Sequence, residues 1–157
     1  MEYFTPLQNL LNNSARHPNN VFLHQPINRQ WLEFTWADVE HQARCIAAGL
    51  KNQGHEEGAK IGILSKNCAQ WFIADIAIMM AGMVSVPIYP TANRNTISYV
   101  IKHADLKAIF VGKLDDWDMM KPGVPEDLAC VSYPTSPEND FPTWDKIIAE
   151  HEPMQGE

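Results

Sequence analysis

The sequence predicts an α/β fold in which a mainly parallel sheet carries crossover helices on both faces. Between residues 59 and 112, short apolar segments alternate with helically periodic segments in the order strand, helix, strand, helix, strand. Short connections between such elements are typical of a parallel sheet. The helical segment 68–82 is apolar on nearly every side, which indicates burial between layers.

Length, composition and charge divide the chain into three parts. Its 157 residues suit one ordinary domain, and 45% of them are hydrophobic, enough for a core. Residues 1–112 carry nine Lys/Arg and eight Asp/Glu, whereas residues 113–157 carry three and eleven, with six of the eleven prolines. We therefore predict a lead-in helix in 1–20, an α/β core over 21–112, and an acidic, proline-rich extension with a last strand and helix.

Several classes of protein are disfavoured by the same composition. A net charge of -7 argues against a basic surface for nucleic acid. Three widely spaced cysteines argue against a disulfide framework, and the N-terminus lacks the pattern of a signal peptide. The most apolar stretch, residues 71–84, is short for a membrane span and contains Asp75. We expect a cytoplasmic protein without a transmembrane segment, for which peripheral membrane contact stays open.

The first elements are a helix and a hairpin. Residues 6–17 show helical spacing of leucines, and two apolar segments, 21–25 and 30–35, flank a short turn. Thr35 followed three residues later by Asp38 has the spacing of a capping box, so a helix is expected to begin there. Further strands are predicted at 59–65, 84–88, 107–112 and 128–133, and further helices at 68–82, 94–103 and 143–151.

The stretch GMVSVPIYPTANRNT, residues 82–96, interrupts a strand with two prolines. Proline cannot donate to a sheet ladder. Pro87 is therefore expected near the end of the strand, and Pro90 is expected to stop it at the carboxyl edge, where open α/β sheets bind ligands. Asn93 is expected to cap the next helix.

Two arrangements resemble small-ligand sites but have plainer explanations. Residues 63–70 join a strand to a helix N-terminus, which with Lys66 would suit an anion. The segment lacks phosphate-loop glycines, so an ordinary helix capped by Asn67 with Gln70 is favoured. His41 and Cys45 share a helix face that is expected to be exposed, and no second ligand pair supports a metal site there.

Acidic residues allow two further interpretations. Asp75 lies in a buried-looking helix and would be either functional or paired with a polar neighbour, of which pairing is favoured. The segment KLDDWDMMKPGVPEDL, residues 113–128, would suit calcium or a basic partner. It lacks the alternating ligands and central glycine of a calcium loop, so a solvated surface excursion is favoured.

Five phrases in fixed order carry a family resemblance: TW, GLKNQG, SKNCAQW, AGMVSVPIYPT and YVIKHADLKAIFVG. Together they closely resemble the N-terminal region of the adenylate-forming, AMP-binding acyl-CoA synthetases. The resemblance runs from about residue 21 to residue 113 and extends more loosely through the rest of the chain. VPIYPT and FVGKLDDW are most similar to the branch that acts on long-chain fatty acids.

The resemblance implies the first part of a large N-terminal domain and a reaction in two halves. A fatty-acid carboxylate attacks ATP, with magnesium, to give acyl-AMP, and the thiol of coenzyme A then displaces AMP. The family's phosphate-gripping loop and catalytic lysine do not occur in these residues. The resemblance therefore implies an inactive fragment with no catalytic residue and no tightly bound cofactor, while ATP, Mg2+ and coenzyme A serve the full-length enzyme.

Few site residues are implied by the resemblance. Ile88, Tyr89 and Pro90 match a loop that lies near the nucleotide part of coenzyme A in the family, and Arg94 is close enough to meet a phosphate. The alternative is that Tyr89 and Arg94 only pack the loop onto the following helix. A stand-alone, non-catalytic α/β module that binds a nucleotide or a protein partner is the alternative function. For the fragment of a larger domain, in contrast, exposed apolar surface that the rest normally covers would favour self-association.

Overall fold

The structure, a computed structural model, describes residues 3–156. Residues 1, 2 and 157, which belong to the predicted segments 1–20 and 113–157, lie outside the described residues. The helices are α1 Pro6–Arg16, α2 Trp36–Asn52, α3 Ala69–Met80, α4 Arg94–Ala104, α5 Trp117–Met120 and α6 Trp144–Glu150, with a 3-10 turn at Lys121–Gly123. The strands are β1 Val21–Ile27, β2 Gln30–Thr35, β3 Lys60–Leu64, β4 Val84–Ile88, β5 Leu106–Val111 and β6 Ala129–Ser132.

Four strands form one parallel sheet in the order β4-β3-β5-β6. Helix α3 connects β3 to β4, and α4 connects β4 to β5. The first two strands form a separate antiparallel hairpin. The turn of the hairpin contains only Asn28 and Arg29, because β1 ends at Ile27 and β2 begins at Gln30. Both turn residues take positive φ angles, 51° and 65°, as a tight two-residue turn requires.

The sheet separates two hydrophobic cores, which confirms the predicted helices on both faces. Alternate residues of a strand point to opposite faces, so Phe110 of β5 belongs to one core while Ile109 and Val111 belong to the other. The first core is closed by α1, α2, α3 and α6, and the second by α4 and α5. Burial on both faces explains why these strands are almost continuously apolar in the sequence.

The prediction that residues 113–128 are a solvated excursion is wrong. Leu114, Trp117 and Met120 are buried and pack into the second core together with α4. They recur every three residues between the acidic side chains, so one side of the segment is apolar while the carboxylates face outward. Gly123 lies so close to α4 that a Cβ added there would be 2.3 Å from the carbonyl oxygen of Arg94.

Pro87 is tolerated because β4 lies at an edge of the parallel sheet within residues 3–156. The N–H of Val84 donates to the carbonyl of Ala59, in the segment leading into β3 (2.9 Å). Backbone groups alternate in direction along a strand, so Pro87, three residues later, points toward the free edge, where no donor is needed. The strand therefore continues to Ile88 without losing a ladder hydrogen bond.

In the part of the chain that the structure describes, no helix combines the length and apolarity needed to cross a membrane.

Candidate functional site

The ends of β3 and β5 are joined by hydrogen bonds at the carboxyl edge of the sheet. The backbone N–H of Lys66 donates to the carbonyl oxygen of Lys113 (2.8 Å), and the backbone N–H of Lys113 donates to Ser65 Oγ (2.9 Å). Ser65 Oγ in turn donates to the carbonyl of Lys66 (2.7 Å). These contacts hold the two loops that leave the sheet here in one arrangement, and Ser65 is buried between them.

Gly112, directly after β5, lets three chain segments approach one another at this edge. A Cβ at this position would lie 2.2 Å from Ser65 Oγ and 2.4 Å from Cδ2 of Tyr133. Any other residue would therefore push apart the ends of β3, β5 and β6. The sequence marked Gly112 only as the end of a strand, because its neighbours Ser65 and Tyr133 are distant in the chain.

The N-terminus of α3 is capped by a residue that sequence reasoning missed. Asn67 is not the cap: Cys68 occupies the N-cap position and makes no side-chain cap hydrogen bond. The N–H of Ala69 instead donates to Oε1 of Gln25, a buried residue of the hairpin, at 2.8 Å. Since this partner is 44 positions away in the sequence, no local pattern signals it.

The groups that would bind an anion at this corner, the first backbone N–H of α3 and the ammonium of Lys66, already have protein partners. Gln25 occupies a backbone donor at the helix N-terminus, and the ammonium of Lys66 forms an ion pair with Asp115. The geometry agrees with the favoured interpretation of an ordinary helix start, capped from the hairpin.

Two open cavities lie along the same edge of the sheet. One of about 490 Å³ lies between the hairpin and α3 and is lined by Leu23, Trp71, Phe72 and Cys68, among others. The other, about 810 Å³, lies between the loops after β5 and β6 and is rich in carboxylates: Asp115, Asp116, Asp118 and Glu138. Within residues 3–156, no group of three or more His, Cys, Asp or Glu side chains is arranged to hold a metal ion.

The four predicted coenzyme A residues, Ile88, Tyr89, Pro90 and Arg94, all lie at the corner after β4, but their side chains differ in exposure. Tyr89 is 83% exposed and Arg94 is exposed at the start of α4, whereas Ile88 is 4% exposed and packs into the second core. Asn93 caps α4 as predicted, with its Oδ1 accepting from the N–H groups of Asn95 and Thr96 (3.0 Å each).

Burial governs the ionisation of two groups near β6. It raises the pKa of the Cys130 thiol to about 11. It also raises the pKa of Tyr133 well above its usual value, with Cys68 and Asp75 acting in the same direction. Both groups therefore stay protonated and neutral near pH 7.

Asp75 and Cys45 have structural surroundings. Asp75 accepts a 2.5 Å hydrogen bond from Ser85 Oγ, which agrees with the predicted pairing. The prediction that His41 and Cys45 share an exposed face holds for His41 but is wrong for Cys45, which is buried. The cause is tertiary: the chain after α6 runs back along α2, where the N–H of Met154 donates to the carbonyl of Arg44.

A sequence profile of the AMP-binding enzyme family matches residues 10–154. The chain belongs to this family. Among curated relatives, it is 31% identical over 93 residues to the long-chain-fatty-acid–CoA ligase FadD15 of Mycobacterium bovis, covering 59% of this chain and 16% of that protein. It is 32% identical over 77 residues to long chain acyl-CoA synthetase 1 of Arabidopsis thaliana, covering 49% of this chain and 12% of that protein.

The fold of this AMP-binding family member is also similar to that of solved CoA ligases. The crystal structure of the anthranilate CoA ligase AuaEII in complex with anthranoyl-AMP superposes with a TM-score of 0.80 over 96% of this chain, at 18% identity. The match covers 29% of that chain. The chain thus spans less than a third of the length of each of these proteins.

Proposed function

We propose that this chain forms the N-terminal part of an AMP-forming ligase that converts a long-chain fatty acid to its acyl-CoA. The family match over residues 10–154 carries the proposal. The names of the two curated relatives, a long-chain-fatty-acid–CoA ligase and a long chain acyl-CoA synthetase, support the substrate class.

The proposed reaction has two balanced halves. A fatty-acid carboxylate oxygen bonds to the α-phosphorus of ATP and pyrophosphate leaves, giving acyl-AMP. The sulfur of coenzyme A then bonds to the acyl carbon, AMP leaves, and the thiol proton goes to solvent. Magnesium would neutralise phosphate charge, but residues 3–156 offer no group of three ligands for it, so we assign it no step on this chain.

The corner after β4 is the part of this chain that we assign to coenzyme A. The exposed ring of Tyr89 offers a face on which an adenine base can stack. The exposed guanidinium of Arg94 suits a phosphate, because its planar fork can donate two hydrogen bonds. Ile88 is anchored in the core, so it would act through its backbone together with Pro90.

An assay of fatty-acid-dependent pyrophosphate release tests the reaction. The chain of 157 residues should release none from ATP and palmitate, whereas the protein encoded by the intact gene should do so and form palmitoyl-CoA. A longer protein that activates no fatty acid would overturn the proposal. An intact gene that stops at Glu157 would instead favour the non-catalytic module, tested by calorimetric titration with ATP and coenzyme A.

The assignment of the corner needs its own measurement on the active ligase. Arg94→Ala should weaken coenzyme A binding by about tenfold, the size expected for one lost charge-assisted hydrogen bond. Lys102→Ala, which removes another exposed cation of α4, is the matched control and should leave the affinity unchanged. Equal affinities for both variants and the parent would remove Arg94 from the site while leaving the ligase proposal intact.

A further inference from the structure

One face of α2 is covered by the C-terminal part of the chain. Gln42, Cys45 and Gly49 are spaced by three and four residues and therefore share this face. Nε1–H of Trp144 in α6 donates to Gln42 Oε1 (3.0 Å). A Cβ at Gly49 would be 2.7 Å from Cγ2 of Ile147, so α6 lies directly on both ends of the face.

Residues 151–156, here called the strap, continue from α6 along α2. The strap begins at His151, whose Nδ1 is 2.9 Å from the carbonyl oxygen of Ile147 and whose Nε2 is 3.4 Å from Nδ2 of Asn52. The Nδ1–H tautomer satisfies both contacts, since it donates to the carbonyl and accepts from the amide. His151 thus fixes the start of the strap against the last turn of α2.

Arg44 holds the far end of the strap. Nη1 of Arg44 donates to the carbonyl oxygens of Met154 (2.9 Å) and Gly156 (2.7 Å). The backbone N–H of Met154 donates in return to the carbonyl oxygen of Arg44 (3.2 Å). Nε of Arg44 donates to Glu40 Oε1 at 2.8 Å, which orients the guanidinium. Between Arg44 and His151, the strap is tied to α2 at both ends.

Cys45 lies next to this attachment and is 1% exposed. Burial raises the pKa of its thiol, and the negative charge of Glu152 in the strap raises it further. Its Sγ is 3.8 Å from Nε2 of His41, an exposed residue one turn earlier. Along α2, Cys45 lies between Gln42 and Gly49, which contact α6, and its neighbour Arg44 accepts a backbone hydrogen bond from the strap. The C-terminal segment therefore lies over this part of α2.

We propose that Arg44 is a latch that closes the strap over α2, and that the closed strap is what shields Cys45. Releasing the latch opens the strap beyond His151 while leaving the sheet and the helices in place, because the hydrogen bonds described above join the strap to α2 and to the last turn of α6. Opening then exposes a thiol beside the imidazole of His41. The inference concerns this chain's own conformation and does not depend on the proposed ligase activity.

The rate at which Cys45 reacts with an aromatic disulfide reagent tests the latch. The assay uses all 157 residues with Cys68→Ala and Cys130→Ala, so that Cys45 is the remaining thiol. Arg44→Ala should speed the reaction by about tenfold or more, since local opening becomes easier when two hydrogen bonds are lost. Lys51→Ala, an exposed cation near the end of the same helix, should leave the rate unchanged.

A deletion separates latch release from general destabilisation. Removing residues 153–157 should expose Cys45 as Arg44→Ala does, and adding Arg44→Ala to the deletion should change the rate no further. Equal rates for Arg44→Ala and the parent would overturn the proposal. So would a further tenfold gain in the combined variant, or acceleration that tracks the urea midpoint of global unfolding across all variants.

Discussion

Residues 21–112 and residues 113–156 build the same two cores from very different sequences. The first segment alternates apolar strands with amphipathic or apolar helices, so its burial is visible in its periodicity. The second is acidic and rich in proline, yet Trp117 closes the second core while Tyr133 and Trp144 complete the first. A few large side chains at well-separated positions can thus close a core as effectively as a long periodic helix.

Truncating Trp144 is the strongest test of whether the large side chains of residues 113–156 stabilise the core as much as the helices of residues 21–112 do. Trp144 is 1% exposed, packs edge-on against Phe110 and Tyr133, and donates to Gln42. Trp144→Ala should lower the free energy of unfolding by about 3–5 kcal/mol, at least as much as Ile46→Ala in the core of α2. Urea denaturation measures both, and Lys146→Ala on the exposed side of α6 is the control. A loss below that of Lys146→Ala would show that α6 is dispensable.

The contact between the extension and α4 should tolerate no added methyl group. Gly123→Ala places a Cβ against the backbone carbonyl of Arg94, which cannot move as a flexible side chain would. We expect a loss of about 1–3 kcal/mol, the usual cost of overpacking. Lys121→Ala, exposed in the same turn, serves as the control in the same urea series. Equal stability of the two variants would mean that the extension packs loosely on α4.

Alkaline pH should lower the free energy of unfolding of the chain, because Cys130 of β6 is buried as a neutral thiol. Burial raises its pKa from 9.0 to about 11, so between these values the unfolded thiol loses its proton while the folded one keeps it. The stability that the neutral Cys130 thiol contributes is fully present below pH 9 and is lost as the pH rises toward 11. Unfolding free energies measured from pH 8 to 11 should fall less steeply for Cys130→Ala. An identical pH slope for variant and parent would contradict this.

The smallest effect is expected where the two segments meet at the surface. Lys66 pairs with Asp115 across the carboxyl edge, but both side chains are substantially exposed. Lys66→Ala should therefore cost less than about 1 kcal/mol, and the difference should shrink further in 1 M salt. A larger loss that persists in salt would show that this ion pair, rather than apolar packing, holds the extension in place.

Prediction from the sequence succeeded where the cause is local. The capping box of Thr35 and Asp38 and the cap of Asn93 are present because both partners lie within three residues. The cap of α3 was assigned to Asn67 in error, since the actual acceptor comes from Gln25 in the hairpin. The same reason applies to Cys45, whose helix face is covered by a segment about a hundred residues away.

The sequence by itself determined the α/β class, the order of strands and helices apart from α5 and the turn after it, and the resemblance that the family profile confirms. Periodicity and capping are properties of neighbouring residues, so they can be read from the chain directly. Only the tertiary structure decided that Gly112 lies between Ser65 and Tyr133, that Gln25 caps α3, and that Arg44 holds the strap. Each of these contacts joins residues far apart in the chain, and folding alone brings them within hydrogen-bond or van der Waals distance.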